Sequence, residues 1–273
     1  MNIKKEFTIL TALLLCLAMC LTGCGDNTEE TGYRVLDTID CGAYAIAFRA
    51  GDTTLRDYVD AAISTLAAAG NVHQIALRWF TDDPTEVEGD TEALTKLLAE
   101  LEVEAPPERD FIIGVCEDIK PMAFKNSDGT YDGFDVDLAE MVCSVLGWRL
   151  VVQSISAADV KVELKSGNID CAWGGMSFDT TSTDYCLSQG YMPCRYKIIT
   201  AASSGIKKKS ALSGKILGQP QSSGALSALK SEGFYEKLAD TVDCANVVES
   251  FMNLRSGKCD AIFVDAYAAA YYM

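Results

Sequence analysis

The 273-residue chain predicts an α/β fold, with mostly parallel sheets covered by helices on both faces. Two observations carry that expectation. Short apolar runs alternate with segments of helical periodicity along most of the chain. A hydrophobic content of 49% over this length supplies a core for one large domain or two lobes.

Composition removes several classes of function. The chain has 23 basic against 39 acidic residues, a formal net charge of −16, which argues against nucleic acid as a partner. A single histidine, His73, disfavours histidine triads and zinc sites built on several imidazoles. Eleven cysteines are present without any Cys-x-x-Cys pair, so zinc ribbons and thioredoxin-like motifs are disfavoured. No metal and no cofactor is expected.

Residues 1–23 read as an export signal. Lys4 and Lys5 precede an apolar run over residues 7–21, shorter than the ~20 residues that span a bilayer. The run ends in Leu21-Thr22-Gly23-Cys24, which resembles the bacterial lipobox, so Cys24 is the expected lipidation site. Two acyl chains would hold the protein on the extracytoplasmic face of the cell membrane. Residues 24–32, polar and acidic, read as a tether.

Beyond the tether, residues 34–37 and 44–48 read as strands. Leu55, Val59, Ile63 and Leu66 recur at helical spacing, with Gly70 where a C-terminal cap belongs. A second helix is expected over 72–80. Residues 81–110 change character: nine acids fall within 82–104, beside Pro84 and the Pro106-Pro107 pair. Leu94, Leu97, Leu98 and Leu101 mark one amphipathic helix, so this stretch reads as a partly helical linker. Strand 111–115 follows, then a helix over 137–146. Further strands are expected at 149–152, 169–173, 197–201, 215–218 and 259–264.

From residue 111 onward four motifs stand in a recognisable order. They are residues 114–124 (GVCEDIKPMAF), Asp128-Gly129 followed by 133–139 (GFDVDLA), and the two turns 166–173 and 256–261. Together they resemble extracytoplasmic solute-binding proteins of the polar amino acid ABC transporter class. The resemblance implies a two-lobed, type II periplasmic-binding-protein-like fold that closes around a small polar solute and delivers it to an ABC permease. No enzymatic activity is expected. The alternatives are a non-transporting sensor or degenerate paralogue and, less favoured, an enzyme such as a dehydratase on the same fold.

In that family the strand and helix around Asp265 are followed by further strands and helices. Here residues 33–37, 44–56 and 79–80 resemble that C-terminal stretch but stand at the front. The order reads as a circular permutation in which residues 81–110 join the former ends; a truncated or fused gene and a swapped oligomer remain open. One lobe is then expected from 45–197, including the linker, and the other from 33–44 with 198–273.

The resemblance also implies the site. Asp265 matches the ammonium-binding acid, with a helix N-cap as its structural alternative. Gly174, Gly175, Met176 and Ser177 match the segment that holds the ligand, and Trp173 is expected on the cleft wall or in the core. Ser222, Ser223 and Gly224 match a loop at a helix N-terminus, where free N–H groups favour an anion. The family's carboxylate-binding arginine falls at Ser182, or at Thr181 with a one-residue gap, and neither is arginine. Ile119 stands at the aromatic lid position. Cys116 stands at that of the acid before it, with Glu117 alongside. Loss of the arginine contact removes roughly 1.5–3 kcal/mol of charged hydrogen bonding. Either the solute is not a plain α-amino acid, or hydroxyls and loop N–H groups carry its carboxylate. The eight cysteines beyond Cys24 are open between disulfides and small core residues.

Overall fold

The computed structural model describes residues 32–273, so the signal, the lipidation cysteine and nearly all of the tether lie outside the described residues. Among the described residues no helix is long and apolar enough to cross a membrane.

The chain begins with β1 (Tyr33–Tyr44), passes through two residues into β2 (Ala47–Arg49), and continues into α1 (Thr53–Ala68) and α2 (Asn71–Trp79). α1 buries Leu55, Tyr58, Val59, Ala62, Ile63 and Leu66 on one face, the stripe its spacing predicts. Gly70, at φ +78°, ends it and opens α2, whose Val72, Ile75 and Ala76 face the same core.

The acidic linker is laid down on the body of the protein. Its helix, α3 (Ala93–Glu100), directs Leu94, Leu97, Leu98 and Leu101 onto the core beside α1. Glu86 N–H donates to the Tyr191 carbonyl (2.9 Å), and Ser64 Oγ donates to the Glu88 carbonyl (2.7 Å). These bonds satisfy backbone groups that lack partners in secondary structure.

Next come β3 (Asp110–Val115) and a small antiparallel sheet of β4 (Asp118–Ile119), β5 (Ala123–Lys125) and β6 (Tyr131–Asp132). α4 (Phe134–Leu146), β7 (Arg149–Ser154), α5 (Val160–Ser166), β8 (Cys171–Ala172) and β9 (Tyr185–Leu187) complete this half. The chain then re-enters the first sheet through β10 (Met192–Ala201). It finishes with β11 (Ile216–Pro220), α6 (Ser223–Ser231), β12 (Asp240–Cys244), α7 (Val247–Arg255), β13 (Ala261–Asp265) and α8 (Ala266–Ala269).

Two five-stranded sheets result. The first has the order β1-β10-β13-β11-β12 and the second β7-β3-β8-β2-β9. Each holds a parallel block, β13-β11-β12 or β7-β3-β8, extended by antiparallel strands. The antiparallel members follow from the connections: β2 and β10 arrive directly from the other sheet, without the helical crossover that parallel pairing needs. Residues 33–49 are integral to both sheets. β1 runs along β10, while β2, with Ala47 and Phe48 fully buried, lies between β8 and β9. β10 enters the first sheet at Met192, so the crossing lies between Leu187 and Met192, upstream of the boundary at 197/198 read from the sequence. α4 also begins three residues earlier than its apolar spacing indicates. Gly133, at φ +125°, sits where a side chain would strike the Met122 carbonyl, and the chain turns into the helix directly after it.

Candidate functional site

A small cavity lies where strand ends of the two sheets meet. Cys116, Ile119 and Ala157 line it beyond β3 and β7 of the second sheet. Tyr196, Gln221, Ser222, Asn246 and Asp265 line it from the first sheet. Crevices outside the carboxyl ends of parallel strands are where α/β sheets place ligands. The free volume is about 30 Å³, room for little more than a water molecule. As it stands, the cavity has no room for an amino acid.

Asp265 ends β13, is 3% exposed and borders this cavity. Its Oδ1 accepts the Ala268 N–H (2.7 Å) as the N-cap of α8, and its Oδ2 accepts the Tyr44 hydroxyl. One carboxylate thus caps α8 and borders the cavity. Burial pushes its pKa up to about 6, against the lowering effect of those donors.

The N-termini of α6 and α7 both face the cavity, and both are capped from within the protein. Asn246 Oδ1 accepts the Glu249 N–H (2.8 Å), and Glu249 reaches back to the Ala245 N–H (2.8 Å), a reciprocal arrangement of the capping-box kind. α6 is capped from the other sheet. Ser177, which follows β8, accepts the Ala225 N–H on its hydroxyl (2.9 Å) and the Gly224 N–H on its carbonyl (3.2 Å). Ser223 Oγ in turn accepts the Asp179 N–H (3.2 Å). The backbones approach so closely that a Cβ on Gly224 would stand 2.7 Å from the Phe178 carbonyl oxygen. The donors expected to hold an anion thus hold Ser177 instead, and this contact clasps the two sheets together. Replacing Ser177 by Ala removes one cap bond and is expected to cost about 1 kcal/mol, read as a lower urea midpoint with unchanged slope.

The other expected site residues divide clearly. Ile119, Ser222 and Asp265 line the cavity, and Ser177, Ser223 and Gly224 form the clasp beside it. Met176 is buried behind the clasp, next to Ser177. Gly174 and Gly175 lie beneath, where side chains would strike Val115 and Ile119. Trp173 is wholly buried in the core rather than on the cleft wall. Glu117 is exposed and faces Lys125 (3.8 Å), away from the cavity. Ser182 lies in a surface turn whose hydroxyl partners Asp184. Among the described residues no arginine, lysine or histidine lines the cavity. Arg195 is exposed on β10 across from Asp40, and His73 pairs with Asp83 on the surface.

Three contributors were not expected. Tyr196 comes from the middle of a strand whose alternation alone cannot say which face meets the cleft. The turn around Asn246 carried a usable signal, Asn-x-x-Glu ahead of an apolar run at a strand end. Asp135, which stands within the 133–139 motif, is completely buried. It accepts the Gly175 N–H (2.8 Å) and the Tyr191 hydroxyl (2.8 Å), and burial pushes its pKa up to about 7.

The model of bacterial extracellular solute-binding proteins, family 3, matches residues 111–242. The arginine-binding extracellular protein ArtP of Bacillus subtilis is 25% identical over 166 residues, covering 60% of this chain and 64% of ArtP. The chain thus spans a little under two thirds of that relative. A cyclohexadienyl dehydratase of Pseudomonas aeruginosa is 34% identical over 67 residues, 24% of this chain and 25% of the enzyme. Among solved structures, an ABC uptake transporter substrate-binding protein from Streptococcus pneumoniae with bound histidine aligns with a TM-score of 0.56 and 28% identity. It covers 60% of this chain and 68% of its own. An ancestral amino acid-binding protein, a precursor of cyclohexadienyl dehydratase, aligns with a TM-score of 0.54 and 26% identity, covering 60% and 73%. The chain has a type II periplasmic-binding-protein fold, and over residues 111–242 it is similar to the bacterial extracellular solute-binding proteins, family 3, among which its amino acid-binding relatives stand.

Proposed function

We propose that this is a lipid-anchored extracytoplasmic protein that captures a small polar solute of the amino acid class between its two sheets and passes it to an ABC permease. The observation that carries the reading is the position of Asp265, a buried carboxylate at the end of β13 facing the cavity between the sheets. A solute ammonium is the natural partner for such a group. The relatives named as binding arginine and histidine support the amino acid class. They also favour binding over catalysis, although one relative is a dehydratase. Anchoring rests on the order of Lys4, Lys5, the apolar run and Cys24.

Binding requires the cleft to open, because a cavity of about 30 Å³ admits no amino acid. The solute carboxylate, lacking an arginine, then meets the α6 N-terminus once Ser177 has moved away. A thermal-shift panel of amino acids, amines and short peptides tests the proposal. At least one solute is expected to raise Tm, and Asp265→Asn to weaken that solute at least tenfold. Tight binding that ignores Asp265→Asn would refute the site.

One observation favours a second reading, a sensor or degenerate paralogue that no longer binds: the anion donors of α6 are occupied by Ser177. A panel without any shift would select it.

The circular permutation belongs to the same proposal. Its support is that β1 and β2 fill places in both sheets and that residues 81–110 lie along α1 as a connection. With the segment 33–80 packed on its own chain, light scattering is expected to give a folded monomer. A dimer that never yields one would point to a swapped assembly.

A further inference from the structure

Two of the described cysteines oppose each other on neighbouring strands. β1 and β10 are antiparallel, with a register running from Tyr33↔Ala201 to Asp40↔Arg195. Continuing it by one residue sets Cys41 opposite Cys194. The register then shifts and resumes at Ala43↔Pro193, leaving Gly42, at φ +84°, as the extra residue of a bulge. Directly opposed residues of an antiparallel pair have Cα atoms about 4.5–5.5 Å apart, within the roughly 4.4–6.8 Å that a disulfide spans. The Cys41 side chain also contacts the Cys194 thiol and, together with burial, raises its pKa.

The other neighbouring cysteines lack this geometry. Cys244 ends β12 and Cys259 precedes β13, with Gly218 of β11 between them. Two strand spacings make about 9.5 Å, beyond the reach of a disulfide. Cys143 belongs to α4 and Cys171 to β8, a helix and a strand rather than opposed strands.

We propose that Cys41 and Cys194 form a disulfide that staples β1 to β10 at the base of the cleft. Cys41, the half-buried member, attacks one sulfur of a small-molecule disulfide such as oxidised glutathione and releases one thiol. Cys194, wholly buried, gives up its proton and attacks the Cys41 sulfur of the mixed disulfide, releasing the second thiol. The pair loses two electrons and two protons, and the reagent disulfide becomes two thiols. An extracytoplasmic location supplies the oxidising surroundings in which such a bond persists.

The bond would act where the chain passes between sheets. β1 leads to β2 two residues beyond Tyr44, and β10 begins just after the return crossing. Cys194 also neighbours Tyr44 and Asp265. The staple therefore holds the strand that carries Tyr44 against the strand that faces Asp265. It does so whether or not a solute binds, so its test is independent of the proposed function.

The test is peptide mapping of the full chain. Protein incubated with oxidised glutathione is denatured, treated with N-ethylmaleimide, and digested without reduction for mass spectrometry. The expected result is a peptide pair joined through Cys41 and Cys194 that vanishes when the sample is first reduced. Maleimide on both Cys41 and Cys194, or either one joined to another cysteine, would overturn the proposal. Mapping uses the unaltered chain, so the outcome does not depend on whether a variant folds. As a second readout, reductant is expected to lower the Tm of the oxidised chain and to leave that of Cys41→Ser/Cys194→Ser unchanged. An equal fall in both would count against the staple.

Discussion

Replacing Asp135 by Ala is expected to destabilise the protein by roughly 2–5 kcal/mol, because two buried donors lose their acceptor together. Gly175 N–H and Tyr191 O–H both end on this carboxylate, in a part of the core where Asp135 and Phe134 are fully buried. The Gly174-Gly175 turn held in this way leads directly to Ser177 and the clasp on α6. Chemical denaturation reads the loss. Asp135→Asn is expected to lose far less, since an amide oxygen can accept from Gly175 while its NH₂ donates to the Tyr191 oxygen.

The same residue sets a pH dependence. Burial raises its carboxyl from the ordinary 3.8 to about 7, and that of Asp265 to about 6. Between those limits the folded state holds protons that the unfolded state has released. Stability from these groups is therefore complete below about pH 4, falls as pH rises through 6 and 7, and is level above. Urea midpoints measured from pH 4 to 8 are expected to decline for the wild type. The decline is expected to be shallower in Asp135→Asn, which keeps only the part due to Asp265 and other buried acids. A midpoint that rises across this range would contradict the assignment of Asp135 as a buried acid with a raised pKa.

The second large effect is expected at Gly224. Its missing Cβ leaves room for the Phe178 backbone, with carbonyl oxygen, carbon and nitrogen at 2.7–2.8 Å from where that atom would stand. A backbone cannot swing aside as a flexible side chain can. Gly224→Val is therefore expected to unseat residues 177–179 from α6, break both Ser177 bonds to its N-terminus and open the cleft. Overpacking of this kind costs typically about 1–3 kcal/mol, to which the lost cap adds about 1. Amide exchange at Gly224→Val is expected to accelerate at Ala225, and X-ray scattering to show a larger radius of gyration. Unchanged protection at Ala225 would mean that the clasp is not what holds the sheets together.

Much of the fold was legible because it follows from repeating local patterns. The apolar spacing from Leu55 to Leu66 gives the buried face of α1, and the leucines of α3 mark the side on which the linker lies down. Strand polarity was less legible. A short apolar run such as Ala261–Asp265 reads the same whichever way its neighbour points, and the antiparallel joins of β2 and β10 depend on direct crossings between sheets.

In the site, Asp265 and residues 222–224 were named through the family resemblance, and the structure places Asp265 and Ser222 on the cavity with Ser223 and Gly224 beside it. Where Glu117 and Ser182 point was not legible, since the direction of an exposed turn depends on partners such as Lys125 and Asp184. Trp173 follows a strand buried on both faces, so alternation gives no inward or outward sense to it. Asp135 looks like any acid in a first helical turn. What buries it is Gly175 and Tyr191, some 40 and 56 residues away.

The central claim, a solute held between the two sheets, is tested most directly by backbone amide NMR. The amino acid with the largest thermal shift is titrated into isotopically labelled protein. The expected result is perturbation centred on Tyr196, Ser222, Val264 and Asp265, with loss of the Ser177-dependent environment of Ala225 as the cleft adjusts. Perturbation confined to the wider surface pocket of Trp79, Phe80, Tyr267 and Tyr271, with the strand-end residues unmoved, would contradict it.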